Sequence, residues 1–189
     1  MQFSQSLCTI PMKRTLNILL ILISTLSYAQ NSSESDVFKI IIDYEIRKGT
    51  LGIYVKCEKP KTFFDQNNFK EQTGLEVPVN ILIEIEKNGI KSSEGIWDSE
   101  LTNGLNYSSD FIKIKKCLTK KEVEETFKKT NTRQNILSIS DPIFDDDFEN
   151  CVVAVTYSKF TGSAYGHKYF LKKVYGAWTV IAEYEQWIT

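Results

Sequence analysis

This 189-residue chain has one histidine, almost no net charge and few long apolar runs, and each shortage excludes a class of protein. His167 is the only histidine, so the sequence has no histidine-based zinc signature and any imidazole chemistry must use this side chain. The 23 basic and 24 acidic residues give a net charge of −1, which is unlike that of a nucleic-acid-binding domain. Beyond residue 29 no apolar run is long enough for a membrane span. We therefore expect no metal, no cofactor, no nucleic-acid partner and no transmembrane anchor in the mature chain.

The segment MKRTLNILLILISTLSYAQ, from Met12 to Gln30, has the pattern of an export signal. Two basic residues precede an apolar run from Leu16 to Leu26, and small residues occupy the −3 and −1 positions of a cut after Ala29. The run is too short to span a bilayer comfortably. We therefore predict a cleavable signal over residues 1–29 and a single mature domain over residues 30–189, periplasmic or secreted. Because the basic residues follow Met12 directly, we expect translation to begin there, and the intact mass of the unprocessed precursor tests this.

Three of the four cysteines follow the predicted cut, namely Cys57, Cys117 and Cys151. In an oxidising compartment an odd number allows at most one internal disulfide and leaves one thiol over. Their spacing matches no zinc signature. We interpret them as buried, reduced cysteines that pack as small apolar side chains, in preference to a disulfide.

The N-terminal half shows helical and strand patterns in turn. Apolar residues at i, i+3, i+4 and i+7 from Val37 predict a helix that begins within residues 32–36 and ends at Gly49. Alternating residues predict a half-buried strand over Leu51–Cys57, and a short helix stopped by Gly74 is expected over Phe64–Gln72.

The segment Val77–Lys87 is ambiguous, because its apolar residues alternate like those of a strand. Pro78, however, suits the first turn of a helix, and Asn88-Gly89 would stop one, so we favour a helix. Residues 91–109 are polar and predict a long loop held by Trp97 and Leu101.

The C-terminal half predicts one helix followed by a sheet. Thr119-Lys-Lys-Glu122 is a capping box that begins a helix running to about Thr130, with Val123 and Phe127 on its buried side. The two-residue link Tyr175-Gly176 implies an antiparallel hairpin. The predicted strands are Ile136–Ile139, Cys151–Phe160, His167–Val174 and Trp178–Trp187. We predict an α+β fold in which N-terminal and central helices pack on one face of a mainly C-terminal antiparallel β-meander.

Three features in this half have both a functional and a structural interpretation. The acidic group Asp145, Asp146, Asp147 and Glu149 offers oxygens to calcium, but consecutive acids diverge on a short loop, so we interpret it as a solvated turn. His167 has no paired nucleophile visible in the sequence. The link Thr161–Gly166 joins two strands, so it lacks the context of a phosphate cradle, and its glycines are explained by conformational freedom in a turn.

Aromatic residues crowd the last 33 positions. Nine occur there: Tyr157, Phe160, Tyr165, Tyr169, Phe170, Tyr175, Trp178, Tyr184 and Trp187. Alternate residues of the last strand point to the same face, and one such set is Trp178, Val180, Ala182 and Tyr184. We expect Trp178 to lie in the core. Some of the remaining aromatics are candidates for an exposed binding face, although core packing and cross-strand pairs explain most of them.

Residues 138–189 resemble the C-terminal half of small exported proteins of unknown function that are common in Bacteroidota. The shared motifs are Ser-x-Pro-hydrophobic-Phe at 140–144, Tyr-x-Leu-Lys-Lys at 169–173, Gly-x-Trp at 176–178 and Trp-x-Ser/Thr at 187–189. The signal ending in Tyr-Ala-Gln is also similar. The resemblance implies a shared fold and export, and it transfers no catalytic residue. A looser similarity to nuclear-transport-factor-2-like domains rests on the order of helices and strands.

We expect an exported, non-catalytic binding or interaction protein whose ligand or protein partner is unknown. The expected ligand-binding residues are Tyr157, Tyr165, His167 and Tyr169, with no catalytic and no metal-binding residue. One alternative is a small hydrolase-like enzyme that uses His167 with a cysteine or an acidic partner, and another is an inhibitor or immunity-type protein. A pocket lined by Tyr and Trp with His167 at its rim favours a small ligand or an enzyme, whereas an exposed aromatic sheet face favours a protein partner.

Overall fold

The computed structural model describes residues 33–49, 53–97 and 117–189, and these ranges hold four helices and two sheets. Helix α1 occupies residues 33–47, and the other helices are α2 (Gln66–Thr73), α3 (Val79–Lys91) and α4 (Lys120–Thr130). The strands are β1 (Ile53–Val55), β2 (Glu58–Lys59), β3 (Gly95–Ile96), β4 (Asn135–Ile139), β5 (Ile143–Phe144), β6 (Asn150–Lys159), β7 (Ala164–Val174) and β8 (Ala177–Ile188). The predicted signal and Leu101 lie outside the described residues. No helix in the described ranges is long and apolar enough to cross a membrane.

The large sheet has the order β1-β4-β6-β7-β8, with β5 also paired to β6. All its pairs are antiparallel except β1 with β4, and the predicted β7–β8 hairpin turns at Tyr175-Gly176 with φ of 53° and 79°. Positive φ at both central residues is the requirement of a type I′ turn. The α+β prediction is therefore confirmed, with a parallel edge strand and the short strand β5 added to it.

Helices cover both faces of this sheet, so the prediction that they lie on one face is wrong. Val153 of β6 belongs to a buried cluster with α1, whereas its neighbour Val152 belongs to a second cluster with α2 and α3. The helix α4 packs through Val123 against Ile136. Strand β6 is buried on both faces because its run CVVAV has apolar residues at consecutive positions, and such a strand needs cover on each side.

The last strand changes face half-way along its length. Leu171 pairs with Val180 but Phe170 pairs with Ala182, so Ile181 is an extra residue that forms a β-bulge. As a result Trp178 and Val180 pack with α1, whereas Ala182 packs on the opposite side with α2 and α3. Alternate residues over positions 178–184 therefore do not all lie on the same face of the sheet.

All four predicted helices are present, with differences at some of their ends. The capping box forms as predicted, with Thr119 and Glu122 each accepting a backbone hydrogen bond from the other. The ambiguous segment is helical, but α3 runs past Gly89 to Lys91, so Asn88-Gly89 does not stop it. A Cβ on Gly89 would lie 3.1 Å from Ile143 Cδ1, so this glycine allows α3 to approach β5 closely.

Cys57 and Cys117 form a disulfide with a Cα–Cα distance of 4.9 Å, while Cys151 is free and buried. The interpretation of all three as reduced cysteines is wrong. The two bonded residues are 60 positions apart in sequence, and they meet because residues 56 and 118 form a parallel β-bridge beside them. No local sequence pattern predicts this long-range pairing.

Replacing both bonded cysteines by serine should lower the free energy of unfolding by about 2–4 kcal/mol, because the cross-link restricts the unfolded chain over a long loop. Urea unfolding with and without reductant measures this. Reductant should lower the midpoint of the wild type and leave that of the Cys57→Ser/Cys117→Ser variant where it is. A wild-type midpoint that does not respond to reductant, with the thiols shown to be free, would contradict the prediction.

Candidate functional site

A cleft of about 600 Å³ lies between the end of α1 and the adjoining ends of β7 and β8. We call it the aromatic cleft. It is lined by Glu45 and Lys48, by Tyr157, by residues 165–167, and by Glu183 and residues 186–188. Helix α1 contributes its C-terminal turn and the sheet contributes three neighbouring strands, so a rigid scaffold holds the lining residues.

The carboxylate of Glu45 lies at the floor of the cleft and is 1% exposed. It accepts hydrogen bonds from the hydroxyls of Tyr157 and Tyr169, and its Oε1 atom lies 3.2 Å from His167 Nε2. Glu45 is not among the residues that the sequence pattern predicts for the site. The available signal was its position, because it continues the i, i+4 series of Val37 and Ile41 on the apolar face of α1.

Opposing effects set the pKa of Glu45. Burial alone would raise the pKa of this carboxyl group. The hydrogen bonds from His167 and the two tyrosines, together with the positive charge of Lys48, outweigh burial and hold the pKa below its usual range. Burial and the hydrogen bond to Glu45 raise the pKa of Tyr169, so its phenol stays neutral and donates. The cluster therefore holds a charged carboxylate that accepts from the neutral phenol of Tyr169.

A second carboxylate, Glu183, joins the same network from β8. Its Oε1 atom lies 3.6 Å from His167 Nδ1, and its Oε2 atom lies 2.6 Å from Lys48 Nζ. Lys48 also donates to the Tyr169 hydroxyl at 2.8 Å. His167 is thus held between two carboxylates, and Lys48 connects the buried part of the network to the part that is open to solvent.

Two aromatic rings form the open wall of the cleft. Tyr165 is 47% exposed and stacks on Tyr157 with ring centroids 4.9 Å apart and an interplanar angle of 15°. Trp187 is 37% exposed and lies against Gly166, where an added Cβ would be 2.5 Å from its ring. Gly166 lies within β7, so close approach of the indole explains this glycine, and our explanation by conformational freedom in a turn is wrong for it.

The structure brings all four predicted ligand-binding residues together. Tyr157, Tyr165 and His167 line the cleft, while Tyr169 lies behind it, fully buried and bonded to Glu45. That a ligand contacts them stays a prediction.

The other candidate groups have structural roles. Asp145 to Glu149 form the turn between β5 and β6, and Asp145 is buried in it, accepting from the backbone of Glu149 and Asn150 at 2.8 and 2.9 Å. Across the described ranges no group of three or more His, Cys, Asp or Glu side chains is arranged so that it could hold a metal ion. Cys117 is oxidised and Cys151 is fully buried, where burial raises the pKa of its thiol. Neither cysteine provides a thiolate for His167.

The lowered pKa of Glu45 predicts a loss of stability in acid. Because the folded pKa lies below the unfolded one, the contribution of Glu45 is complete above the unfolded pKa and is lost as pH falls from there through the lower folded value. Urea unfolding across this range should show a steeper decline for the wild type than for Glu45→Gln. The matched control is Asp43→Asn, an exposed acid on the same helix, which should keep the wild-type slope. Equal slopes in all three proteins would contradict the prediction.

Comparisons with protein-family models, with curated proteins and with solved structures found no match for this chain.

Proposed function

We propose that this protein is an exported, non-catalytic binding protein and that its ligand is a small molecule held in the aromatic cleft. The observation that carries the proposal is the convergence, in one cleft, of two exposed aromatic rings and a network of hydrogen-bonded polar side chains. Ligand sites combine an apolar wall with a few fixed polar groups in just this way, and the volume of about 600 Å³ suits a drug-sized molecule.

Preorganisation of the cleft supports this proposal. Tyr157 supports the ring of Tyr165 from behind, and the backbone at Gly166 supports the ring of Trp187. The side chains of Lys48 and Glu183 hold each other at 2.6 Å. Groups that are fixed before binding lose little conformational entropy when a ligand arrives, so such a cleft binds more tightly than a flexible surface of equal area.

Two further observations support export and a non-catalytic role. The disulfide between Cys57 and Cys117 suits an oxidising compartment beyond the cytoplasm. Glu45 already accepts from two hydroxyls and faces the imidazole, so this carboxylate holds the floor of the cleft in place and has little surface left for a substrate.

A ligand screen by thermal shift tests the proposal with three variants. Compounds that bind the cleft should raise the melting temperature of the wild type and of Phe63→Ala, which removes an exposed aromatic ring that does not line the cleft. For the same compounds Tyr165→Ala and Trp187→Ala should weaken binding at least tenfold. Hits that keep their affinity in both cleft variants would overturn the proposal.

An acid–base enzyme is the second candidate, and the contact of 3.2 Å between His167 Nε2 and Glu45 Oε1 favours it. This contact supplies the acidic partner that a histidine-based hydrolase requires. A hydrolase with a cysteine nucleophile is not supported, because Cys117 is in a disulfide and Cys151 is buried. Activity against a panel of ester, amide and glycoside substrates tests the candidate. His167→Gln should abolish any genuine turnover, and full activity in that variant would remove the enzyme interpretation.

A further inference from the structure

Resting on the proposed function, we infer that the ligand is a neutral oligosaccharide that stacks on Trp187 and continues across Tyr165 into a second depression. The charges of the aromatic cleft favour a neutral ligand. In the cleft Lys48 is paired with Glu183 at 2.6 Å, and Glu45 is surrounded by hydrogen-bond donors. Among the described lining residues, each charge therefore already has a partner, and a phosphate, carboxylate or amine ligand would have to displace one.

The exposed surface of the aromatic cleft combines ring faces with polar groups. Tyr165 and Trp187 present half-exposed ring surface, which binds apolar C–H groups. Beside them lie a carboxylate acceptor, an ammonium donor and the amide of Gln186, whose Nε2 atom is 3.4 Å from Glu183 Oε1. Adjacent hydroxyls can accept from Lys48 and donate to Glu183 at the same time, because a hydroxyl both donates and accepts. A sugar ring combines an apolar face with such hydroxyls at its edge.

A second depression adjoins the aromatic cleft. A smaller depression of about 170 Å³ shares Tyr157 and Tyr165 with the aromatic cleft. Asn135, Ser158, Lys159 and Ser163 complete its lining. An amide, two hydroxyls and the ammonium group of Lys159 can all hydrogen-bond to hydroxyls, so they again suit a polyhydroxylated ligand. Because the exposed ring of Tyr165 stands between the two depressions, a ligand of two or more sugar units would stack on it while occupying both.

A glycan array tests this inference with neutral and uronic-acid-containing oligosaccharides. Calorimetry then measures the affinity of the best-binding glycan in lengths of one to four sugar units. We expect neutral glycans to bind, with affinity rising at least tenfold from one unit to three. Trp187→Ala should weaken every length at least tenfold. Asn135→Ala/Ser163→Ala should weaken only the longer members, bringing them close to the single sugar, while Phe63→Ala changes none.

Three outcomes would overturn the inference, and they are distinguishable. If no glycan binds but other small molecules bind and depend on Trp187, the proposed binding function stands and the saccharide assignment is wrong. If uronic-acid glycans bind in preference to neutral ones, the argument from paired charges is wrong. If glycans bind equally well to wild type, Trp187→Ala and Tyr165→Ala, the aromatic cleft is not the site and the proposed function falls as well.

Discussion

Glu45→Ala should lower the free energy of unfolding by about 3–5 kcal/mol, because removing one member of a buried, charge-assisted network leaves its partners without their acceptor. The hydroxyls of Tyr157 and Tyr169 and the imidazole of His167 would all lose the carboxylate to which they point. Urea unfolding of the predicted mature chain, followed by circular dichroism, measures the loss.

Two variants make this experiment specific. Glu45→Gln keeps the shape and one acceptor oxygen, so it should lose less than Glu45→Ala. Asp43→Ala, on the exposed side of the same helix, should change stability by about 0.5 kcal/mol or less. If Glu45→Ala costs under about 1 kcal/mol, the carboxylate is not the centre of a buried network.

Trp178→Ala should cost about 3–5 kcal/mol through the cavity that loss of the indole leaves in the core. The ring is 6% exposed, lies 5.6 Å from Phe144 between ring centroids, and packs in the cluster that contains α1. Its Nε1 atom has no acceptor among the described residues, so the substitution breaks no hydrogen bond there and the expected loss comes from packing.

Chemical denaturation of Trp178→Ala beside Thr179→Ala measures this effect. Thr179 is the exposed neighbour on the same strand, and its replacement should change the free energy of unfolding by about 0.5 kcal/mol or less. A loss under about 1 kcal/mol for Trp178→Ala would mean that the ring lies on an open surface.

Local patterns were enough to predict most helices and strands. The capping box at Thr119, the left-handed glycine at position 74 and the two-residue link at 175–176 all act through neighbouring residues, so the sequence displays them directly. Even the ambiguous α3 was recoverable, because the helix formers that follow Pro78 outweighed its alternating isoleucines.

Apart from the predicted stop at Asn88-Gly89, the errors involve long-range packing. The bulge at Ile181 depends on the register between β7 and β8, and the disulfide depends on a bridge between residues 56 and 118. The use of both sheet faces depends on where α2 and α3 lie. None of these follows from periodicity within one segment, because each is decided by which distant segment lies alongside.

The sequence predicted the part of the candidate site that lies on neighbouring strands, and it did not predict the part that a distant segment contributes. Tyr157, Tyr165 and His167 stood out because aromatic side chains and the single histidine cluster in neighbouring strands. Glu45 did not, because α1 is more than a hundred residues away in sequence. Its position in an otherwise apolar helical stripe was nevertheless visible, and a charge at such a position indicates a buried polar cluster.

The most direct test of the binding site is a ¹H–¹⁵N NMR titration of labelled residues 30–189, the predicted mature chain, with compounds that bind it. Three indole N–H signals report separate places, since Trp97 and Trp178 are buried and Trp187 lines the cleft. We predict shifts at the Trp187 indole and at the amides of residues 165–168 and 183–188, with the other two indoles unchanged. Shifts confined to other surfaces, with the Trp187 signal unmoved at saturation, would contradict the aromatic cleft as the binding site.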